Sequence, residues 1–394
     1  MRPEFFLCLA AYFALVLLAG LAFSRRMKNL EDFFLASRNL SAGLIFISLT
    51  ASWFGATSIL VSTDEAMRSG LSAFWIMGVP AVVTVLILVL FLARPLQRLP
   101  IMTIPDLVEL RYGRLVRHLA SGLIIWYMVL LAASQMVALG QFLKMFLGLS
   151  YLAGLGLATA VVLLYSTTGG LRSVVFTDIV QFFLLVAGVT GLVIWLGGRW
   201  SGADIVELAG RSGKAGYFDL FHNFKENALI AFSFILAWTI SPIALQRIQA
   251  ARGVREARTG LFGAAGMLFL LYAFVTFVGM ASILIFSGQP LSHPLVSEII
   301  ASKVGLWFGG LLFVAVLAAI LSTMDTAINT GALSLTRDIH LQLFPGSRLG
   351  PVAAGRLATL VVGLSAFLVA TRFQSILKTL GLSSERDCSS PAWP

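Results

Sequence analysis

Residues 41–62 read Ser41-Ala-Gly-Leu-Ile-Phe-Ile-Ser48-Leu-Thr50-Ala51-Ser52-Trp53-Phe54-Gly55-Ala-Thr57-Ser58-Ile-Leu-Val-Ser62. The stretch is long enough to cross a bilayer, yet small, polar and glycine residues crowd its middle. Non-helical backbone at that depth is tolerated only where protein or water satisfies it. A second span, 228–246, is interrupted in the same way at Ala237-Trp-Thr239-Ile-Ser241-Pro242, where Pro242 removes a helical hydrogen bond. Taken singly, Gly55 and the hydroxyl residues are explained as well by close helix packing. Two interruptions in corresponding halves point instead to a transporter binding site.

The rest of the chain supports a membrane setting. It has 394 residues, 58% hydrophobic and 12% charged, with mean hydropathy +0.92. Soluble domains carry about 25% charged residues, so a soluble enzyme or a nucleic-acid module is excluded despite a net charge of +10. Cys8 and Cys388 lie too far apart to read as a disulfide or zinc framework. His118, His222, His293 and His340 show no metal-ligand spacing. No His-Glu-x-x-His, Gly-x-Ser-x-Gly or paired catalytic carboxylates occur, so the chain does not read as an enzyme.

Apolar runs predict an all-α integral membrane protein with about ten transmembrane helices: 5–24, 41–62, 72–93, 119–143, 152–166, 173–197, 228–246, 260–287, 304–336 and 352–371. The first is followed by Arg25, Arg26 and Lys28, which marks a retained span rather than a cleaved signal. With the N-terminus outside, seventeen of the 28 Lys and Arg fall in inner connections, Arg247 among them. Positive residues favour the cytoplasmic side, so this orientation is predicted. The two interrupted spans are five apart. Because five is odd, the two units they belong to have opposite orientations in the membrane. The loop 198–227 is expected to hold short surface helices, as at Ala203–Leu208, and one membrane domain fills residues 1–394.

Span 304–336 places Ser322, Asp325, Thr326 and Asn329 on one helical stripe. An aspartate at that depth faces the bundle interior or an aqueous path. Hard cations take oxygen ligands, so hydroxyls, a carboxylate and unwound carbonyls suit an alkali cation. The plainer alternative is a stripe wetted at the cytoplasmic end. Gly169-Gly170 suits a tight cytoplasmic turn. Asp178 and Gln181 follow it, either joining helices or lining an ion path.

Three blocks in order then carry a resemblance: Tyr165-Ser-Thr-Thr-Gly-Gly-Leu-Arg-Ser-Val-Val-Phe-Thr-Asp178-Ile-Val-Gln181, Pro242-Ile-Ala-Leu-Gln246-Arg247 with Glu256-Ala-Arg258, and Ala318-Ala-Ile-Leu-Ser322-Thr323. Together with Asn29–Leu40 they resemble the sodium/solute symporter family, which includes proline, pantothenate and sodium–glucose transporters. The resemblance runs to about residue 371. It implies an extra first helix (5–24) and an inverted pair of five-helix repeats, 41–197 and 228–371, with broken helices at 41–62 and 228–246. It also implies a plasma-membrane symporter that imports a small organic solute with sodium by alternating access. The main sodium site would use carbonyls of Ala51, Phe54 and Ala319 and hydroxyls of Ser322 and Thr323. A second cation site would involve Asp178, Asp325 and Thr326. Position alone places Trp53, Thr57, Ser58, Thr239 and Ser241 near the solute.

The chain departs from the family pattern in three places. Trp53 stands where several relatives have Asn or Asp, and Asp325 is an extra carboxylate that suits a tighter cation site or a carried proton. The polar segment 372–394 reads as a truncated or altered terminus, which leaves the second repeat without its last helix. Two alternatives to the sodium symporter stay open on these grounds: a proton-coupled symporter, and a solute-sensing or channel-like protein on the same fold. Partners are therefore a small organic solute, sodium and the bilayer, with no nucleic acid. The absence of a eukaryotic-style extension favours a bacterial inner membrane.

Overall fold

The computed structural model describes residues 4–22, 27–214, 216–286, 291–345 and 348–372. The truncation expected beyond residue 372 lies outside these described residues. Apart from one bridge between Leu40 and Ala251, the regular secondary structure of the described residues is all helical.

The main helices are α1 (Glu4–Ala22), α2 (Ala42–Trp53), α3 (Ser62–Ser69), α4 (Phe74–Ile87), α5 (Ile104–Leu147), α6 (Tyr151–Gly197), α7 (Phe224–Thr239), α8 (Pro242–Ala250), α9 (Val254–Ala281), α10 (Leu306–Ser334) and α11 (Pro351–Arg372). Seven described helices are long and apolar enough to cross a bilayer, or eight if the bent pair α7–α8 forms one span. Three of the seven contain a glycine at positive φ; in α5 it is Gly113 (φ 81°), which sets off only the short segment 104–112. In Thr57–Arg98 it is Gly70 (φ 73°), and in α6 it is Gly170 (φ 54°). Separating those limbs, and joining α2 to 57–69, gives the ten segments read from the sequence.

Gly170 is required by its surroundings as well as by its backbone. A Cβ there would meet the Phe33 carbonyl oxygen at 2.2 Å. The expected glycine turn is thus a sharp junction between two membrane limbs, packed against the short helix Leu30–Leu35. Arg172 and Asp32 both bind Ser37 there: Arg172 Nη2 donates to Ser37 Oγ (2.6 Å), which donates to Asp32 (2.6 Å). The Ser37 bond holds the Asp32 carboxyl below its ordinary range.

Helix starts follow capping chemistry. Ser41, Thr103, Ser150 and Ser241 each accept from an amide three residues on. Pro242 occupies the first turn of α8, where its missing N–H costs nothing. It therefore starts the second arm of the broken span, and the interruption itself is Ile240–Ser241. The two arms meet at 43°. In the loop 198–227, Gly202–Arg211 forms a surface helix closed by a Ser201–Asp204 capping box.

The core is centred on α10, in which residues 315–334 are all buried. It packs on α5 and α6, and also touches α1, α2 and α11. The α2 arm packs on α9 and α6, while α7 packs on α4. These contacts bring both interruptions against the polar stripe of α10.

Candidate functional site

The α2 helix ends at Trp53 because Phe54 adopts φ −108°, ψ 71°, and Gly55 follows. Close approach explains the glycine. A Cβ on Gly55 would stand 2.6 Å from Thr323 Oγ1 and 2.8 Å from Gln135 Oε1. Across the break, Ser322 Oγ donates to the Ala51 carbonyl (2.8 Å) and lies 3.1 Å from the Ala319 carbonyl, while Thr323 Oγ1 lies 3.3 Å from the same carbonyl. Ala51, Ala319, Ser322 and Thr323 are thus brought together, and Phe54 sits at the break beside them, fully buried. The donors are neutral carbonyl and hydroxyl oxygens. That set fits a hard monovalent cation, for which the hydroxyls would turn their lone pairs inward.

A cavity of about 80 Å³ adjoins this cluster. Trp53, Thr57, Ser58 and Ser241 line it, whereas Thr239 does not; its hydroxyl donates to the Ile235 carbonyl in its own helix (2.7 Å). Trp53 and Trp238, one from each broken span, pack with ring centroids 6.0 Å apart. Ser58 Oγ and Tyr272 OH are 2.8 Å apart. None of the lining residues carries a charge, and Thr323 lines the cavity as well as belonging to the oxygen cluster.

Sequence reasoning missed Gln135, Tyr272 and Trp238 at this cavity. Gln135 accepts from the Ala56 amide (2.9 Å) and so pins the first helical residue after the break. The polar pair Ser134-Gln135 inside the apolar run 124–140 was the available signal. The two aromatic residues carry no signal that separates them from ordinary core.

The stripe on α10 is buried rather than wetted. Ser322 is 1% exposed, and Asp325, Thr326 and Asn329 are each 0%. Asp325 accepts from Tyr165 OH (2.5 Å) and Thr177 Oγ1 (3.4 Å). Asp178 accepts from Ser48 Oγ (2.5 Å). Gln181 Nε2 donates to Tyr12 OH (3.2 Å), which ties α6 to α1.

Arg247 is placed differently from its sequence reading. It is not a loop charge but the fully buried centre of this layer, delivered by α8 because Pro242 starts that helix two residues beyond Ile240. Its guanidinium stands between Asp178, at 3.6 Å, and Thr326, at 2.9 Å. Asp178, Asp325 and Thr326 therefore share a neighbourhood but do not face one common gap.

The sodium:solute symporter family profile matches residues 33–383. The chain is 26% identical to the high-affinity proline transporter PutP of Bacillus subtilis (strain 168), over 90% of this chain and 78% of that protein. It is 27% identical to the sodium/glucose cotransporter of Vibrio parahaemolyticus, over 95% and 77%. Among solved structures, a substrate-bound outward-open Na⁺-coupled sialic acid symporter superposes with TM-score 0.83 at 20% identity, covering 93% of this chain and 80% of that one. MhsT in complex with L-phenylalanine superposes with TM-score 0.59 at 15% identity, covering 86% and 80%. At these identities the structural likeness speaks for the fold alone.

Proposed function

The chain belongs to the sodium:solute symporter family of membrane transporters, and on that premise we propose that it imports a small organic solute of no net charge together with sodium, driven by the downhill entry of the ion. Sodium binds among Ala51, Phe54, Ala319, Ser322 and Thr323. The solute binds in the adjoining cavity against Trp53, Thr57, Ser58 and Ser241. The N-terminus lies outside the plasma membrane, and the repeats 41–197 and 228–371 are inverted with respect to each other.

One observation carries the reading: Thr323 lines the cavity, and its hydroxyl lies 3.3 Å from the Ala319 carbonyl of the oxygen cluster. A cation that orients Thr323 shapes one wall of the cavity, and solute packed on Thr323 braces the cation ligands. Coupling between two ligands is reciprocal, so each raises the affinity for the other. The cavity has about 80 Å³, well below the roughly 300–1,000 Å³ of sites for drug-sized ligands. A small solute, or a parting of the broken arms, is therefore needed for occupancy, and rocking one bundle against the other is how such folds alternate access. The charge-free lining favours a solute that is neutral or whose charges cancel.

The driving force is adequate. One sodium ion crossing down about 100 mV gains roughly 2.3 kcal/mol, and a tenfold gradient adds about 1.4 kcal/mol. Together these support accumulation of roughly several hundredfold per sodium.

The test is uptake into proteoliposomes holding potassium, with sodium outside and a negative interior. Radiolabelled proline and glucose head the solute panel because relatives are named for them. Accumulation above the external concentration that collapses when sodium is equal on both sides supports the proposal. Saturable binding without accumulation would instead favour a sensor, and accumulation driven by a pH gradient in sodium-free buffer would favour proton coupling.

A further inference from the structure

The buried layer around Arg247 has an arrangement that the cation and solute sites leave unexplained. Arg247 Nε donates to Ser48 Oγ (3.0 Å), Nη1 to Gln246 Oε1 (3.0 Å), and Nη2 to Thr326 Oγ1 (2.9 Å) and Ser52 Oγ (3.3 Å). Nη2 also lies 3.6 Å from Asp178 Oδ2. Ser48, Ser52, Asp178, Thr326 and Arg247 are all at most 1% exposed. A carboxylate and three hydroxyls converging from three helices are the oxygen set that a hard cation takes. Here they converge on a guanidinium.

We infer that Arg247 is a tethered cation filling the second cation position, so that the chain binds and moves one sodium ion per cycle rather than two. The inference rests on the sodium-coupled reading above. Its physical basis is charge balance in a low dielectric. When both are ionised, Asp178 and Asp325 bring two negative charges into this fully buried layer. Arg247 supplies one permanent positive charge, since a guanidinium does not lose its proton in proteins. One unit remains uncompensated. Asp178 Oδ1 and Asp325 Oδ1 have no hydrogen-bond partner among the described residues. One mobile monovalent cation on the main site, a single helical turn along α10 from Asp325, brings the count to zero. A second would leave the layer positive.

The residue type and its helix also fit. The planar fork spreads its donors over Ser48, Ser52, Thr326 and Gln246 at once, which a lysine ammonium cannot do. Gln246 is in turn held by Asn329 and the Phe34 carbonyl, to which its Nε2 donates (2.9 Å each), and by Thr330, which donates to its Oε1 (2.9 Å). The fixed cation is therefore locked to α10 and to the α8 arm of the broken span.

The experiment counts sodium ions by equilibrium ²²Na⁺ binding to the purified full chain in lipid nanodiscs, without solute. The expected counts are one for wild type, two for Arg247→Ala, one for Arg247→Lys, and one again for Arg247→Ala combined with Asp178→Asn. Two ions on wild type would overturn the inference while leaving sodium coupling intact. So would a single ion on monodisperse Arg247→Ala. No sodium on wild type would overturn the coupled reading, and this inference with it. If Arg247→Ala does not fold, the wild-type count decides, together with the Hill coefficient of sodium binding: one is expected, and a value approaching two would overturn the inference.

Discussion

Ser322 Oγ lies 2.8 Å from the carbonyl oxygen of Ala51, 271 residues away in sequence, and so closes α10 against the broken end of α2. The bond joins two segments that neither helix propensity nor hydrophobic periodicity would pair. It also holds together the oxygens proposed to receive sodium.

Removing those hydroxyls tests the cation site. Hydrogen bonds and contacts to a charged group contribute about 1.5–3 kcal/mol each. Ser322→Ala or Thr323→Ala should therefore raise the half-saturating sodium concentration for uptake by roughly 10- to 100-fold. Thr323→Ala should also weaken solute binding, because Thr323 lines the cavity. Unchanged sodium dependence in both variants would remove the site assignment.

Gly55 offers a steric test of the same place. An added methyl would stand 2.6 Å from Thr323 Oγ1 and 2.8 Å from Gln135 Oε1, so Gly55→Ala should abolish sodium-dependent uptake while the protein still reaches the membrane. Gly43 in the same span has nothing within 4 Å of the equivalent position. Gly43→Ala should keep full uptake and gain up to about 1 kcal/mol from helix propensity. Equal activity of the two variants would show that the close approach at Gly55 is not functional.

How far the sequence led is visible at these residues. Ten spans and both interruptions were legible because bilayer crossing demands long apolar runs, and breaks in them stand out. Pro242 was read as breaking a helix when it starts one, since proline removes the same hydrogen bond in either role. Arg247 was read as a loop charge because hydropathy counts charges without seeing what pairs them. Its partners Ser48, Asp178 and Thr326 lie 69 to 199 residues away and meet only in the folded bundle. Thr239 and Ser241 look equivalent in sequence, yet only Ser241 faces the cavity. The bend between α7 and α8 decides which hydroxyl turns inward, and it cannot be read from residue types.

A second buried charge cluster fixes the other end of α10. Arg117 pairs with Asp106 (2.7 Å), Asp338 (2.9 Å) and Glu109, and Asp338 also accepts from Ser334 and Thr103. Breaking a buried pair by removing one partner costs about 3–5 kcal/mol, because the other charge is left uncompensated. Arg117→Met should therefore lower the unfolding midpoint in detergent by several degrees or more, with or without sodium. Adding Asp338→Asn should recover part of the loss. An unchanged midpoint in Arg117→Met would mean that the cluster is hydrated and contributes little.

Trp53 offers an optical test of the proposed solute site. It is one of eight tryptophans, and its ring packs 6.0 Å from Trp238 at the cavity wall, where the two broken spans face each other. Solute entering between them must change the environment of both rings, since the cavity is too small to admit it otherwise. A transported solute should alter tryptophan emission in sodium and much less in potassium. Trp53→Phe should remove a large part of that signal and keep measurable uptake, because an aromatic face remains. Trp53→Ala should raise KM for uptake by roughly tenfold, given that an aromatic pair contributes about 0.5–1.5 kcal/mol beyond its buried area. A full emission response in Trp53→Phe, with unchanged KM in Trp53→Ala, would place the solute elsewhere in the bundle.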